Sequence, residues 1–234
     1  MNSSRLALAC LAASLAGTVF SPVASGQTTG AESGLIASFE GEVPTALGWR
    51  KYGELPIAIV TEGEKKALDF NDEWETDWMS LTYKPSPSQT DAMATRGLVI
   101  ETRVRHAYSG ANGANFRILA RIPGMVAPFI VFYGDSSTGG ARISVYDSVE
   151  KKSHALAYQP EPDGYVTLRA TYRPPALEQE NGVFALEVGG VALGEFGVAP
   201  ASVGQSGLEI GGIGEGAKDR TGQTLVQYLR LKTP

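Results

Sequence analysis

The 234-residue chain contains one cysteine and two histidines. A single thiol, Cys10, cannot build a disulfide framework or a cysteine-ligated zinc site. His106 and His154 stand far apart and bring too few nitrogen ligands for a catalytic zinc centre. Long apolar runs are missing too: Leu6 to Phe20 is too short to cross a bilayer, and no later run is long enough. No window carries a 3.6-residue apolar period, so a helical domain is not expected. Basic residues are in deficit, with 20 Lys and Arg against 25 Asp and Glu. That balance argues against nucleic acid as a partner, because phosphate backbones are held by basic faces.

At the amino terminus, Arg5 precedes the apolar run and the small residues Val23-Ala24-Ser25-Gly26 follow it. A charged start, an apolar core and a small-residue exit, in that order, predict a signal peptide over residues 1–26 and a secreted or periplasmic protein. Removing that segment takes away Cys10 and Arg5, so the net charge moves from −5 to −6. Residues 27–34 are small and polar and are expected to form a flexible leader. Residues 35–234 are expected to form one domain.

That region is punctuated by Gly and Pro and divides into short alternating runs. Strands are predicted at 35–40, 57–62, 66–70, 78–84, 97–105, 114–122, 129–134, 141–147, 153–158, 165–172, 182–188, 191–197, 207–213 and 224–232. Short helical turns fit only Ser86 to Ala94 and Pro200 to Gln205. The clearest passage runs from Tyr165 to Phe196. Val166, Leu168, Ala170 and Tyr172 alternate there with polar residues, and Gly189-Gly190 joins Val183–Val188 to Val191–Leu193 as a hairpin. The apolar sides of these runs predict a core that includes Phe39, Ile100, Val104, Phe116, Ile118, Leu168, Phe184, Leu186 and Leu229.

The order of elements then becomes recognisable. A strand opening with Phe39-Glu40-Gly41, the Tyr165–Tyr172 strand, the Val183–Leu193 hairpin, the Leu208-Glu209-Ile210-Gly211-Gly212 strand and a closing Gly222 to Leu231 strand follow one another. This pattern resembles the concanavalin A-like lectin/glucanase superfamily, in particular its laminin-G-like bacterial secreted members. The resemblance implies an all-β jelly-roll sandwich of two antiparallel sheets whose last strand packs beside the first. It also implies a glycan or polysaccharide partner on a sheet face. It does not imply catalysis. No Glu-x-Asp-x-x-Glu run of the glucanase branch is present, and the strands lack the arrangement of the jelly-roll alginate lyases. The laminin-G-like branch often binds calcium. No clear carboxylate motif supports a structural Ca2+ here, so no cofactor is expected.

Candidate site residues come from the polar sides of the strands. Glu101, Arg103 and Arg105 share one side of the 97–105 run, and Arg117 and Arg121 share one side of the 114–122 run. Guanidinium forks match carboxylate or sulfate oxygens. If the two strands pair, Glu101, Arg103 and Arg117, with Tyr146 from the 141–147 run, make a face for an acidic sugar. The bland alternative is cross-strand ion pairing on a solvated face. Tyr133, Tyr158 and Tyr228 are further aromatic candidates, as are Trp74 and Trp78 among Glu73, Glu75 and Asp77.

Three functions fit these observations. The missing enzyme signatures favour a secreted, lectin-like, non-catalytic carbohydrate-binding domain. A polysaccharide lyase or glycoside hydrolase acting on an acidic glycan is the second, with His106 and Tyr108 as the candidates for proton exchange. A structural or adhesion domain is the third.

The leader reading makes one direct prediction. Intact-mass analysis of the exported product should give a chain starting near Gln27, whereas full-length protein recovered from the native host's cytoplasm would overturn it.

Overall fold

Period-2 alternation leaves each strand with one apolar side to bury, and the solution adopted is two sheets packed face to face. The computed structural model describes residues 34–44, 48–53, 57–72, 79–109, 115–135, 140–177, 180–202, 206–213 and 221–234. Residues 1–33, Trp74, Trp78 and the carboxylates beside them lie outside the described residues. The described residues belong to one compact unit, Ser33–Pro234.

The elements in chain order are β1 (Leu35–Glu40), β2 (Trp49–Tyr52), β3 (Ala58–Glu62), β4 (Lys65–Asp72) and β5 (Met79–Tyr83), then helix α1 (Pro87–Arg96). Next come β6 (Leu98–Ser109), β7 (Asn115–Arg121), β8 (Phe129–Asp135), β9 (Gly140–Asp147) and β10 (Lys152–Ala157). The chain closes with β11 (Val166–Arg173), β12 (Gly182–Val188), β13 (Val191–Val198), β14 (Gly207–Ile213) and β15 (Thr221–Lys232). An eight-stranded sheet has the order β13-β12-β11-β6-β15-β4-β3, with β1 also on β15. A seven-stranded sheet has the order β10-β9-β8-β7-β14-β5-β2. All strand pairs in both sheets are antiparallel, and the architecture is a jelly-roll sandwich. No helix among the described residues is long and apolar enough to cross a membrane.

The last strand does pack beside the first, as the family pattern implies. Phe39 faces Leu229 and Glu40 faces Tyr228 across the β1–β15 ladder. The hairpin also forms as expected, with Gly189 at φ 57° and Gly190 at φ 79°. Positive φ at both central residues suits a twisted two-residue turn, and glycine adopts it without strain. Every residue predicted for the core is buried, from Leu168 and Leu229 at 0 % exposure to Phe39 at 6 %.

Three features depart from the sequence expectation. A full helix, α1, replaces short turns. Ser86 caps it in a capping box, its hydroxyl accepting from the Gln89 amide at 3.3 Å while its own amide donates to Gln89 Oε1 at 2.8 Å. Only Ala92 and Met93 of the helix are buried, so its apolar period was too sparse to read. Strand β2 has no alternating signature, because only one of its four residues, Trp49, turns inward, where it packs on Phe39 and Tyr83 with ring centroids 5.5 and 5.3 Å away. Tyr165 belongs by parity to the polar side of its run yet is 2 % exposed. It joins Ala67 and Leu225 in a small second cluster on the outer face of the eight-stranded sheet.

One corner stitches the two sheets together. The Asp147 carboxylate at the end of β9 accepts from the amides of Val149 (2.9 Å), Glu150 (2.8 Å) and, across in β13, Gly197 (2.6 Å). Burial alone would raise this carboxyl, but the three amides outweigh it and hold it below the usual range. A Cβ on Gly197 would lie 2.6 Å from Val149 Cγ2, so the close approach requires glycine.

Phe184 sits in the middle of β12 at 1 % exposure, between Tyr172 and Phe196 on its neighbouring strands. Phe184→Ala should cost about 3–5 kcal/mol through lost burial and the cavity left behind. Urea unfolding would measure this, and an unchanged midpoint would contradict the packing described.

Candidate functional site

Because β6 lies in the eight-stranded sheet and β7 in the seven-stranded sheet, the four candidate residues are divided. Glu101 and Arg103 project from one outer face of the sandwich and Arg117 and Tyr146 from the other. The assumption that the two arginine strands pair is therefore corrected: β6 pairs with β11 and β15, and β7 with β8 and β14.

On the eight-stranded face, arginine and carboxylate are matched. Arg103 donates to Glu161 (2.5 Å), Asp163 (2.8 Å) and Gln227 (2.6 Å), and its guanidinium lies 4.8 Å from the Tyr165 ring centre. Arg105 pairs with Glu62 at 2.5 Å and also covers Tyr165, whose hydroxyl donates to Glu62. Burial first, and then the Glu62 carboxylate, push the Tyr165 phenol up. Glu101 is shared between Lys232 (3.1 Å) and Arg169 (4.0 Å). Arg173 pairs with Glu195 and Arg230 with Glu40, and Tyr228 lies under Arg230. The Arg103 fork is thus committed to pinning the loop before β11 onto the sheet.

The seven-stranded face is built differently. Strand register places Arg50, Thr82, Glu209 and Leu119 in one row across β2, β5, β14 and β7, and Tyr52, Ser80, Gly211 and Arg117 in the next. Glu209 opposes Leu119, so Arg117 and Arg121 are its diagonal neighbours and both reach it, one per carboxylate oxygen, at 2.6 Å each. The Glu209 side chain is only 8 % exposed although it stands on an outer face. Small residues on β5 and β14 form a low floor between taller side chains on β2 and β7. Gly211 is obligatory there, since a Cβ would meet the Met79 carbonyl oxygen at 2.2 Å. The result is a trough of about 820 Å³ floored by Ser80, Thr82 and Gly207 and walled by Arg50 and Tyr52 opposite Arg121. Three strand spacings separate the walls, about 14 Å. Lys84 lines it as well.

Tyr146 lies farther along the same sheet, stacked on Phe129 with centroids 5.5 Å apart and planes 6° from parallel. Tyr158 turns inward against Phe132, and burial pushes its phenol up to about 12. His106 also turns inward, its Nδ1 2.8 Å from the Thr224 hydroxyl and its ring 6.4 Å from Phe132. It therefore points away from Arg103 and Arg105. Tyr108 lies in β6 opposite Gly222, and its side chain lies outside the described residues. His154 packs on Phe196 and approaches Glu150 at 3.3 Å. With Asp147 these two make a compact acid and imidazole group, but the Asp147 oxygens already serve the corner amides. Sequence reasoning missed Arg50, Tyr52 and Glu209. The period-2 placement of Glu209 in Leu208–Ile210 was legible, but its arginine partners were not.

Several solved structures share this fold. A carbohydrate esterase from the Shiga toxin-encoding bacteriophage phi24B is similar over 85 % of this chain and 98 % of its own, with a TM-score of 0.56 and 16 % identity. A botulinum neurotoxin type C structure, described for its interaction with two ganglioside molecules, has a TM-score of 0.53 and 10 % identity over 85 % of this chain. The binding domain of botulinum neurotoxin DC in complex with SialylT has a TM-score of 0.52 and 7 % identity over 86 % of this chain. The chain spans about half the length of these toxin chains, 47 % and 48 %. At such identities the likeness is one of fold. No family model matches the chain, and no curated protein matches it in sequence.

The Arg103 clasp has a pH signature. Its hydrogen bonds hold the Glu161 and Asp163 carboxyls below their usual values. Folded values below the unfolded ones mean that this stabilisation is complete above about pH 5 and fades as pH falls further. Arg103→Met should lower the urea midpoint at pH 7, and its difference from the parent should narrow toward pH 2.5. A difference that stays constant with pH would show that the carboxylates do not carry the clasp.

Proposed function

We propose that this protein is a lectin-like, non-catalytic carbohydrate-binding domain that receives a glycan in the trough of the seven-stranded sheet. The observation that carries the reading is the trough itself. It combines a low polar floor of Ser80 and Thr82, hydrogen-bonding walls and Tyr52, which is 53 % exposed at the edge strand β2. Sugar rings offer apolar faces to an aromatic and hydroxyls to polar groups, and a volume of this size suits a small ligand site. The shared fold with the phage esterase and the toxin binding domains supports carbohydrate as the ligand class. Membership of the concanavalin A-like superfamily, export from the cytoplasm and Tyr146 with Phe129 as an outer extension of the glycan track are parts of the same proposal.

Binding rather than turnover is supported by what lines the trough. Among the described residues it holds one carboxylate, Glu209, with a guanidinium on each oxygen. Glycoside hydrolysis ordinarily uses two carboxylates, and ester hydrolysis by a serine needs a base beside it. His106 and His154 face the interior of the sandwich instead. The structural or adhesion reading has no comparable feature behind it.

A glycan array followed by titration calorimetry tests the proposal. At least one oligosaccharide should bind, and Tyr52→Ala should weaken it about tenfold, or 1.4 kcal/mol, with no change in melting temperature. An array without ligands, or binding indifferent to Tyr52→Ala, would remove the site. New reducing ends, released acyl groups or an unsaturated product would remove the non-catalytic part alone.

A further inference from the structure

We infer that the trough selects anionic sugars, reading carboxylate or sulfate groups through Arg50 and Lys84, with Glu209 acting as a positioning residue for Arg121. This deepens the carbohydrate reading above and rests on it. The two outer faces differ in how their cations are matched. On the eight-stranded sheet Arg103, Arg105, Arg169, Arg173 and Arg230 each meet a carboxylate within 4.0 Å. The trough is lined by three cations, Arg50, Lys84 and Arg121, against one carboxylate among the described residues, Glu209, which pairs with Arg121 and Arg117. Arg50 and Lys84 are exposed and make no ion pair among the described residues. The chain as a whole is acidic, with a net charge of −5. A concentration of cations in a concavity of an acidic protein focuses a positive potential where a ligand would lie.

The geometry gives the cations separate roles. Glu209 fixes Arg121 against the wall, and about a third of that side chain remains exposed. A pre-oriented guanidinium loses little freedom when an oxyanion docks against it. Arg50 stands on the opposite wall, in the row of Thr82 and Glu209. Lys84 continues β5 beyond Tyr83, and its amide donates to the Gly48 carbonyl at 3.1 Å, which fixes the backbone from which the ammonium extends. An acidic group lying along the trough can therefore be met from both sides.

The test compares three oligosaccharides of equal length: oligogalacturonate, a sulfated oligogalactan and the uncharged oligogalactan. Polyglutamate serves as a non-sugar polyanion. Calorimetry with the exported protein in 50 mM NaCl should show at least one charged sugar binding tenfold or more tighter than the uncharged one and than polyglutamate. The tighter of the two charged sugars identifies carboxylate or sulfate. That advantage should shrink in 300 mM NaCl, and the double variant Arg50→Gln, Lys84→Gln should bring the charged sugar's affinity down to that of the uncharged one, with the melting temperature unchanged. Glu209→Gln should weaken the charged sugar, and Arg121→Gln in that background should add no further loss. Equal affinity for charged and uncharged sugars, with sensitivity to Tyr52→Ala retained, would overturn the charge selection and leave the carbohydrate reading standing. Equal affinity for polyglutamate would overturn the selection of sugars, and no binding to any sugar would overturn both readings.

Discussion

Strand β15 is the constraint on which the eight-stranded sheet depends. One of its edges is paired along its length with β6, and the other is divided between β4 at residues 222–226 and β1 at residues 228–232. The division falls at a bulge between Val226 and Tyr228. That extra residue resets the alternation, so Val226 and Leu229 both turn into the core. Slippage by one residue would expose Leu229 and Leu231 and bury Arg230 and Lys232, so the register is held by core burial on one side and by charge on the other. With β6 clamped between β11 and β15, β7 must start the other sheet although it follows β6 directly in sequence.

The two outer faces consequently have different electrostatic characters. The eight-stranded face is a lattice of arginine and carboxylate pairs, with Tyr165 wedged beneath Arg103 and Arg105. Pairs exposed in this way contribute little individually. Their collective effect is to pin the loop carrying Glu161 and Asp163, and that loop leaves Arg103 no fork to offer a ligand. The seven-stranded face concentrates its polarity around one nearly buried carboxylate and leaves a hollow beside it. Floor and walls follow from strand order: glycine, serine and threonine on β14 and β5 lie between longer side chains on β7 and β2.

The fold was largely legible in the sequence. Alternation located most of the strands, the glycine pair located the β12–β13 hairpin, and the predicted core residues are buried. Where periodicity was short or diluted, reading failed: β2 turns one residue inward and α1 buries two. The candidate site was legible only in part. Arg117 and Tyr146 follow from residue type and parity and do share a sheet face. Arg50, Tyr52 and Glu209, which with Arg121 define the trough, come from segments remote from one another in the chain.

By itself, the sequence determined which side of each strand is apolar, where the chain turns, and that two sheets would pack into a sandwich, because a period of two and the conformational demands of glycine and proline are local properties. It also determined that arginines would occupy polar sides of both β6 and β7. Only the tertiary structure decided that Arg103 meets Glu161 and Asp163 while Arg117 and Arg121 share Glu209. Strand neighbours are chosen by burial and backbone pairing across more than a hundred residues in the β6–β15 ladder, and two arginines with the same local pattern acquire opposite roles from the side chains those neighbours bring.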